Sequence, residues 1–500
     1  MTILSNSTKK PIIWTIAGAD CSGGAGIAAD IKTGHSLSVE VCALITANTV
    51  QNSKQLHAVN PVSCDILSQQ VAVLSVDKPP EVIKIGLIAN NEQALWLSDC
   101  LPQLKQQFPL CQVVYDPVGQ ASVGGALSSL SNQQIAQLLP FIDVITPNLL
   151  EAQQLADNNS EKVILLAEKI QQLGVKKVII KGGHSHGDTC LDYCLDSEAE
   201  RNYQLSSARI NSNFTHGGGC SFASAISAFL AHGYLLRDAF ALTKAYINKG
   251  LSSAPQTNYY GAFEQTSWPT APEHFATIND DINQQHKGLA AFPSLNIARE
   301  KGEKLGLYPV VDSIDWLARL LPLNLAIIQL RLKNHSPSEL AALIEQAVAL
   351  SQHYKTRLFI NDHWQLAIKY GAYGVHIGQE DLQSADLARI SQAQLRLGIS
   401  THGCYEFLLA QQLQPSYLAI GAIFPTKTKD MTGQIQGIEN LSQLLKLNKN
   451  IPVVAIGGIN LARAPKVWQT GVDSLAVVTA ITEAKAPEQA VASFQQLMNN

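Results

Sequence analysis

The sequence predicts an α/β protein in two parts: an open doubly wound, mostly parallel sheet, then a (β/α)8 TIM barrel. Three observations support this. Residues 11–255 alternate near-continuous apolar runs with helix-length stretches, as in a parallel sheet covered on both faces. Residues 301–500 hold eight more short apolar runs, most separated by enough chain for a helix, as in a barrel. Between about 256 and 300 the alternation stops, and APQTNYYGAFEQTSWPTAPEHF leads into the polar DDINQQHKG. The expected domains are therefore 1–265 and 301–500, with 266–300 as a connecting segment.

In the first part the strand candidates are IIWTIAG (12–18), EVCALITA (40–47), EVIKIGLI (81–88), QVVYDP (112–117), FIDVITPN (141–148), KKVIIKGG (176–183) and TCLDYCLD (189–196). Helix candidates include 22–34, 64–75, 91–107, 131–139, 161–173 and 220–232. In the second part the strands are YPVV (308–311), LAIIQL (325–330), RLFI (357–360), YGVHI (373–377), LRLGI (395–399), SYLAIG (416–421), PVVAIGG (452–458) and SLAVV (474–478).

Apolar residues make up 46% of the 500 and charged residues 15%, which allows sizeable cores and argues against a largely disordered chain. A net charge of −4 gives no basic footprint for nucleic acid or an acidic membrane. The N-terminal apolar run soon meets Asp20 and two glycines, so neither a signal peptide nor a membrane span is expected. Nine scattered cysteines, mostly within apolar runs, suit a reducing cytoplasm.

Two glycine clusters mark the first part. Gly24-x-Gly26-x-x-Ala29 follows a strand and opens a helix, a loose dinucleotide fingerprint. It lacks the acidic residue expected at the end of the second strand, where Thr46-Ala47-Asn48 stands instead, and a plain tight turn explains the glycines equally well. The second cluster, Thr215-His216-Gly217-Gly218-Gly219-Cys220, precedes an apolar helix. Its backbone N–H groups and the helix N-terminus would form an anion hole for a phosphoryl group, and a thiol at Cys220 would have its pKa lowered there. A small buried residue at a helix start is the plainer alternative. His184, His186, Cys190 and Cys194 have the makings of a zinc set, but the histidines also fit a strand tip, KGGH.

In the barrel the active face lies at the strand ends. Gln329, Arg331 and Lys333 alternate along one end, so they face one way and suit a diphosphate. Asp362 and Asp381 follow neighbouring strands, an arrangement that holds Mg²⁺ against an anionic ligand, although Asp362 would also serve as a helix cap. The loop from Phe424 through Thr426, Thr428 and Lys429 is polar enough to close over a substrate. Gly457-Gly458 and Val478-Thr479 follow strands seven and eight, the usual phosphate position of this fold.

TIAGADCSGGAGIAADIKT, TANTVQNS, VIKIGLI, YDPV, ITPNLLEA, VIIKGGH and THGGGC, in that order, resemble the hydroxymethylpyrimidine/phosphomethylpyrimidine kinases of the ribokinase superfamily over most of 11–250. The resemblance implies two successive ATP-dependent phosphorylations of 4-amino-5-hydroxymethyl-2-methylpyrimidine. It implies that Asp30 and Gln51 read the ring with Gly18 close by, and that Asn148 and Glu151 lie near magnesium and phosphates. Lys181 would meet the nucleotide phosphates. Gly217, Gly219 and Cys220 would form the anion hole, with Cys220 as a base-like residue at the hydroxymethyl group. Three positions depart from the family: Gly218 replaces Thr, and Gly119 and Leu87 each replace Met.

QLRLK, FINDHWQLAI, GVHIGQEDL, LGIST, GAIFPTKTK, VVAIGGI and AVVTAI resemble thiamine phosphate synthases from about 308 to 482. That family joins the pyrimidine diphosphate to a thiazole phosphate and releases diphosphate. The resemblance implies Mg²⁺ on Asp362 and Asp381, with Arg331, Lys333 and Lys429 stabilising the leaving group. Gln329, Asn361 and Ser400 would place the pyrimidine or its diphosphate, Thr426 and Thr428 would line the substrate loop, and Gly458, Val478 and Thr479 would hold the thiazole phosphate. Mg²⁺ and ATP as co-substrate are thus expected, with small-molecule partners and no nucleic acid or membrane; a homodimer stays open. An alternative keeps the synthase and makes the first part an impaired, kinase-like binding domain. A nicotinamide-binding first part is a third reading.

Overall fold

The computed structural model describes residues 9–52, 55–119, 125, 127–184, 187–255, 257, 260–298, 302–426 and 435–499. The chain divides into two compact units, one ending at Asn279 and the next starting at Asp280.

The first unit is one ten-stranded sheet. Its strands are β1 (Ile12–Asp20), β2 (Glu40–Gln51), β3 (Leu56–Pro61), β4 (Val82–Ile85), β5 (Gln112–Tyr115), β6 (Val144–Ile145), β7 (Lys177–Ile180), β8 (Thr189–Asp196), β9 (Arg201–Ala208) and β10 (Thr277–Ile278). Their order is β10-β9-β8-β7-β6-β5-β4-β1-β2-β3. The chain starts mid-sheet and winds outward both ways, which is the doubly wound arrangement. From β2 to β7 neighbouring strands run parallel, while β3 and β8 to β10 are antiparallel. The central strands are buried on both faces because helices cover them, so they read as unbroken apolar runs. Helices lie at Gly26–Ser36, Cys64–Asp77, Asn91–Gln107, Asn132–Leu138, Leu149–Leu155, Val163–Gln171, Gly218–Ala231 and Leu236–Ser253. The core runs through Trp14, Ile16, Leu44, Ile83, Ile85, Val113 and Ile180. Strand order reverses beside β1, between β2 and β4, and a crevice at such a switch point is where open α/β sheets bind ligands.

The second unit is a closed barrel of eight parallel strands in sequential order. They are β11 (Gly306–Val311), β12 (Ile327–Leu330), β13 (Arg357–Asn361), β14 (Gly374–Ile377), β15 (Arg396–Thr401), β16 (Tyr417–Ile420), β17 (Val453–Ile456) and β18 (Ser474–Val477). All eight expected strands are present, and β11 pairs with β18 to close the ring. Large rings fill the lumen: Phe359 lies edge-on to Tyr417 at 5.1 Å, and Tyr308 to Tyr417 at 5.9 Å. A Cβ at Gly398 would fall 2.1 Å from the Tyr417 ring, so the ring occupies space that only glycine leaves.

Chain ahead of β11 stoppers the barrel at its N-terminal mouth. Leu295 is buried with Tyr308, Ile327 and Phe359. Its carbonyl accepts from Arg357 Nε, that of Ser294 from Arg396 Nε, and that of Pro293 from the Ser416 hydroxyl. Leu295→Ala should cost about 3 kcal/mol, the usual loss for a buried leucine. The check is a urea melt of the full chain followed by a probe in the barrel; an unchanged midpoint would mean the stopper carries no stability.

Candidate active sites

Over the C-terminal ends of β5 and β7 in the first unit, ionic groups converge. Asp116 follows β5 and Lys181 follows β7; Lys181 Nζ donates to Asp116 Oδ1 at 2.8 Å. A Cβ at Gly219 would lie 3.5 Å from Lys181 Nζ and 4.0 Å from Asp116 Oδ2, so both groups face the glycine turn. Gly217 caps the helix Gly218–Ala231 in a left-handed conformation, φ 79°, which glycine adopts without strain. Lys181, Asp116 and the glycine turn thus stand together where the sequence leads one to expect an anion site. Gly218 has open space where a side chain would start and an ordinary φ.

The residues expected to read the pyrimidine are placed less simply. Gly18 lies against Leu87, since a Cβ there would meet Leu87 Cδ2 at 2.7 Å. Leu87 clusters with Ala47 and Ala89, a small apolar wall. Gln51 ends β2 at the same edge, where its carbonyl accepts from the Cys21 thiol at 3.1 Å. Asp30 is buried, and its carboxylate already accepts from the Thr15 and Ser224 hydroxyls and from Lys84 Nζ at 3.0 Å. Asn148 and Glu151 form the capping box of the helix Leu149–Leu155. Burial pushes the Glu151 carboxyl up to about 7, against Lys181 and with Asp116 adding.

Cys220 corrects one expectation. The helix N-terminus was expected to lower its thiol pKa, but burial pushes it up to about 11. Lys84 pulls the other way, while Asp116 and Asp30 add to the rise. The thiol is thus protonated at neutral pH in the free protein, because desolvation of a thiolate outweighs the helix end.

Cys190 and Cys194 are buried in β8 as free thiols. His186 lies outside the described residues. Among the described residues no group of three or more His, Cys, Asp or Glu forms a metal cluster.

On the barrel the expected residues gather at the strand ends. Gln329 is buried in β12, Arg331 is half-buried, and Lys333 is exposed, so the three climb from lumen to rim. Lys333 Nζ donates to Asp362 Oδ2 at 3.0 Å, and Asn361 Nδ2 donates to Asp362 Oδ1 at 2.8 Å. Asp362 sits at φ 62°, a left-handed conformation that side chains other than Asn or Asp rarely take. Burial raises the Asp381 carboxyl, and Asp362 raises it further, with Lys333 opposing. Two carboxylates close enough to contend for a proton can instead share a divalent cation, which is the sparse ligand set Mg²⁺ takes when a diphosphate and water complete its shell. Gly457 and Gly458 have φ 101° and 62°, and Phe424 N donates to Gly457 O at 3.1 Å, joining the β17 tip to the loop that carries Thr426. Val478 precedes the short turn of helix that opens at Thr479. Thr428 and Lys429 lie outside the described residues.

A polar chain beneath this face escaped the sequence reading. Gln329 Nε2 donates to Tyr308 Oη at 3.0 Å, Tyr308 meets Tyr417 at 2.8 Å, Tyr417 meets His376 Nδ1 at 2.7 Å, and His376 Nε2 meets Ser400 Oγ at 2.8 Å. Burial pushes His376 down to about 4, with Asp362 opposing and His402 and Arg331 adding, so it is neutral across the physiological range. The chain fixes Gln329 and Ser400 from opposite sides of the lumen. In the first unit the sequence motifs likewise assign no role to Lys84, Asp116 and His216. Each had one signal: a lone ionisable residue set in an otherwise apolar or glycine run.

The fold and the polar groups at the strand ends define a two-part transferase, a ribokinase-like sheet followed by an eight-stranded barrel. Residues 20–263 match the phosphomethylpyrimidine kinase family, and residues 307–481 match the thiamine monophosphate synthase family. The chain is 53% identical over 196 residues to the thiamine-phosphate synthase of Yersinia pestis (strain Pestoides F), covering 39% of this chain and 91% of that protein. Among solved structures it is similar to a phosphomethylpyrimidine kinase from Clostridium difficile 630, at 31% identity over 48% of this chain and 99% of that one, TM-score 0.41. It is also similar to an ADP complex of Staphylococcus aureus pyridoxal kinase, at 27% identity over 54% and 98%, TM-score 0.47. The chain belongs to both families, a phosphomethylpyrimidine kinase followed by a thiamine-phosphate synthase, and is a bifunctional enzyme of thiamine biosynthesis. Among the described residues no helix is long and apolar enough to cross a membrane.

Proposed function

We propose that the first unit phosphorylates 4-amino-5-hydroxymethyl-2-methylpyrimidine twice with ATP, and that the second condenses the resulting diphosphate with thiazole phosphate to give thiamine phosphate and diphosphate. One observation carries the reading: the product of the first family's chemistry is the substrate of the second's, and one chain holds both.

In the kinase, Lys181 and the amides of Gly217 to Cys220 neutralise charge on the transferred phosphoryl group, and Asp116 holds Lys181 in place. Phosphoryl transfer depends on such positioning more than on covalent help, so a protonated Cys220 still serves as a hydrogen-bond partner of the hydroxymethyl group. Gly18, Leu87 and Gln51 line the ring's side. Asp30, already saturated, acts by holding Lys84 rather than by touching the ring. Asn148 and Glu151 shape the phosphate side.

In the synthase, Mg²⁺ held by Asp362 and Asp381 would supply charge stabilisation to the departing diphosphate. Arg331, Lys333 and Lys429 neutralise the same group. Loss of diphosphate leaves positive charge on the pyrimidine methylene, which the ring stabilises and the thiazole nitrogen attacks. Gln329, Asn361 and Ser400 orient the pyrimidine. Thr426 and Thr428 line the loop over the substrates, and amides at Gly458 and Val478-Thr479 hold the thiazole phosphate. Nine free cysteines suit a cytoplasmic site.

Each unit owns a whole sheet, so fragments cut between Asn279 and Asp280 should each be soluble and keep their own activity. Insolubility of both, with no activity in either, would mean a shared core. Gly218 stands where the family resemblance leads one to expect threonine, and a hydrogen bond to a charged group is worth roughly 1.5–3 kcal/mol. Because space is open there, Gly218→Thr should raise ATP affinity or kinase rate by about tenfold. A variant slower than the parent would show that the loop already works best with glycine.

A further inference from the structure

Resting on the kinase reading, we propose that Asp20 and His216 form a hydrogen-bonded joint that locks the β1 turn to the anion-hole turn, making His216 a positioning residue for phosphoryl transfer. Asp20 ends β1. Its carboxylate accepts from four donors of its own turn: Ser22 N at 2.9 Å, Ser22 Oγ at 2.8 Å, Gly24 N at 3.1 Å and Ala25 N at 2.9 Å. A fifth partner comes from far along the chain, His216 Nε2 at 2.8 Å. Burial works against this carboxylate, but His216 and the Ser22 and Ala25 donors outweigh it and hold it well below the usual range.

The two turns also touch through glycine. A Cβ at Gly24 would fall 2.2 Å from His216 Cδ2, and one at Gly217 would fall 1.9 Å from Gly24 O. His216 is nine-tenths buried, and Tyr260 stands beside its ring at 5.9 Å. His216 N donates to Gly261 O at 3.3 Å, and Phe263 N donates to His216 O at 2.8 Å, which fixes its backbone. Among the described residues Nδ1 has no hydrogen-bond partner, so the ring's shortest polar contact there is Nε2 on Asp20. The next residue is Gly217, the first of the anion hole. The joint therefore sets where the amides of Gly217 to Gly219 stand relative to the β1 turn, and with it to Gly18 on the ring's side. An error of about 1 Å between reacting groups costs on the order of a hundredfold in rate.

The test uses the full chain with His216→Ala, His216→Gln and Asp20→Asn. Pyrimidine phosphorylation by His216→Ala should lose about a hundredfold in kcat with little change in the pyrimidine KM. His216→Gln, whose amide reaches toward the Nε2 position, should recover most of that loss, and Asp20→Asn should fall between. Synthesis from supplied pyrimidine diphosphate should be unchanged in all three. Amide exchange in His216→Ala should speed up at Gly23, Gly24 and Ala25 as well as at Gly217 to Gly219. Wild-type kcat in His216→Ala, a parallel fall in every parameter that glutamine does not rescue, or exchange confined to 215–219 would each overturn the joint. A wild-type chain that never phosphorylates the pyrimidine would sink the kinase reading instead, and the exchange result would then decide the joint by itself.

Discussion

Asp362→Asn and Asp381→Ala should each slow thiamine phosphate formation from supplied pyrimidine diphosphate by roughly a thousandfold, about 4 kcal/mol of transition-state stabilisation. Pyrimidine phosphorylation by the same proteins should be nearly unchanged. Asparagine is the better choice at 362 because it tolerates the left-handed conformation found there, so charge is removed without added backbone strain. A pH dependence follows. Burial and Asp362 raise the Asp381 carboxyl, so on acidification this pair takes up a proton sooner than an ordinary aspartate. The proton competes with the cation, and the Mg²⁺ concentration for half-maximal rate should rise as pH falls. Once Asp381 is ionised, this dependence should vanish. Full synthase rates in both variants at saturating substrates would remove the metal assignment.

The second large effect is expected in the kinase. Lys181→Met should lower its rate by about a hundredfold or more, since it removes the cation facing the glycine turn and leaves Asp116 uncompensated. Cys220→Ala should lower the kinase rate where Gly218→Thr raises it, because it removes the side chain proposed to meet the hydroxymethyl group. The thiol itself can be read directly. With burial holding it near 11, alkylation of Cys220 by iodoacetamide should keep rising about tenfold per pH unit through pH 9. A rate that levels off below pH 8 would mean the helix end wins over burial and Cys220 is a thiolate in the resting enzyme.

Much of this was legible in the sequence, and the gaps have physical causes. The eight barrel strands are short apolar runs with polar ends, so their periodicity is hard to mistake. β3, β9 and β10 have no counterpart in the sequence reading because they are antiparallel strands toward the two ends of the sheet. RNYQLSSA buries Tyr203 and Leu205 but keeps Asn, Gln and Ser beside them, so its apolar density is low. The ion pair of Lys84 with Asp30 joins residues 54 positions apart, and no spacing rule reveals it. Nor does spacing reveal that Asp30 is saturated by Thr15 and Ser224. Local chemistry misled at Cys220, where a helix start suggested a lowered thiol pKa and depth of burial reversed the sign. His376 and Tyr417 lay inside apolar strands, where the residue types hinted at a polar core but not at a continuous chain from Gln329 to Ser400.

The central claim, two activities in series on one chain, is tested most directly by following all intermediates at once. Full-length protein is mixed with the hydroxymethylpyrimidine, ATP, Mg²⁺ and thiazole phosphate, and the pyrimidine monophosphate, its diphosphate and thiamine phosphate are quantified over time. The expected result is the monophosphate first, then the diphosphate, then thiamine phosphate, with Asp381→Ala stopping the series at the diphosphate. Thiamine phosphate formed only when the diphosphate is supplied, with no phosphorylation of the free pyrimidine, would contradict the account and make the first unit a binding domain.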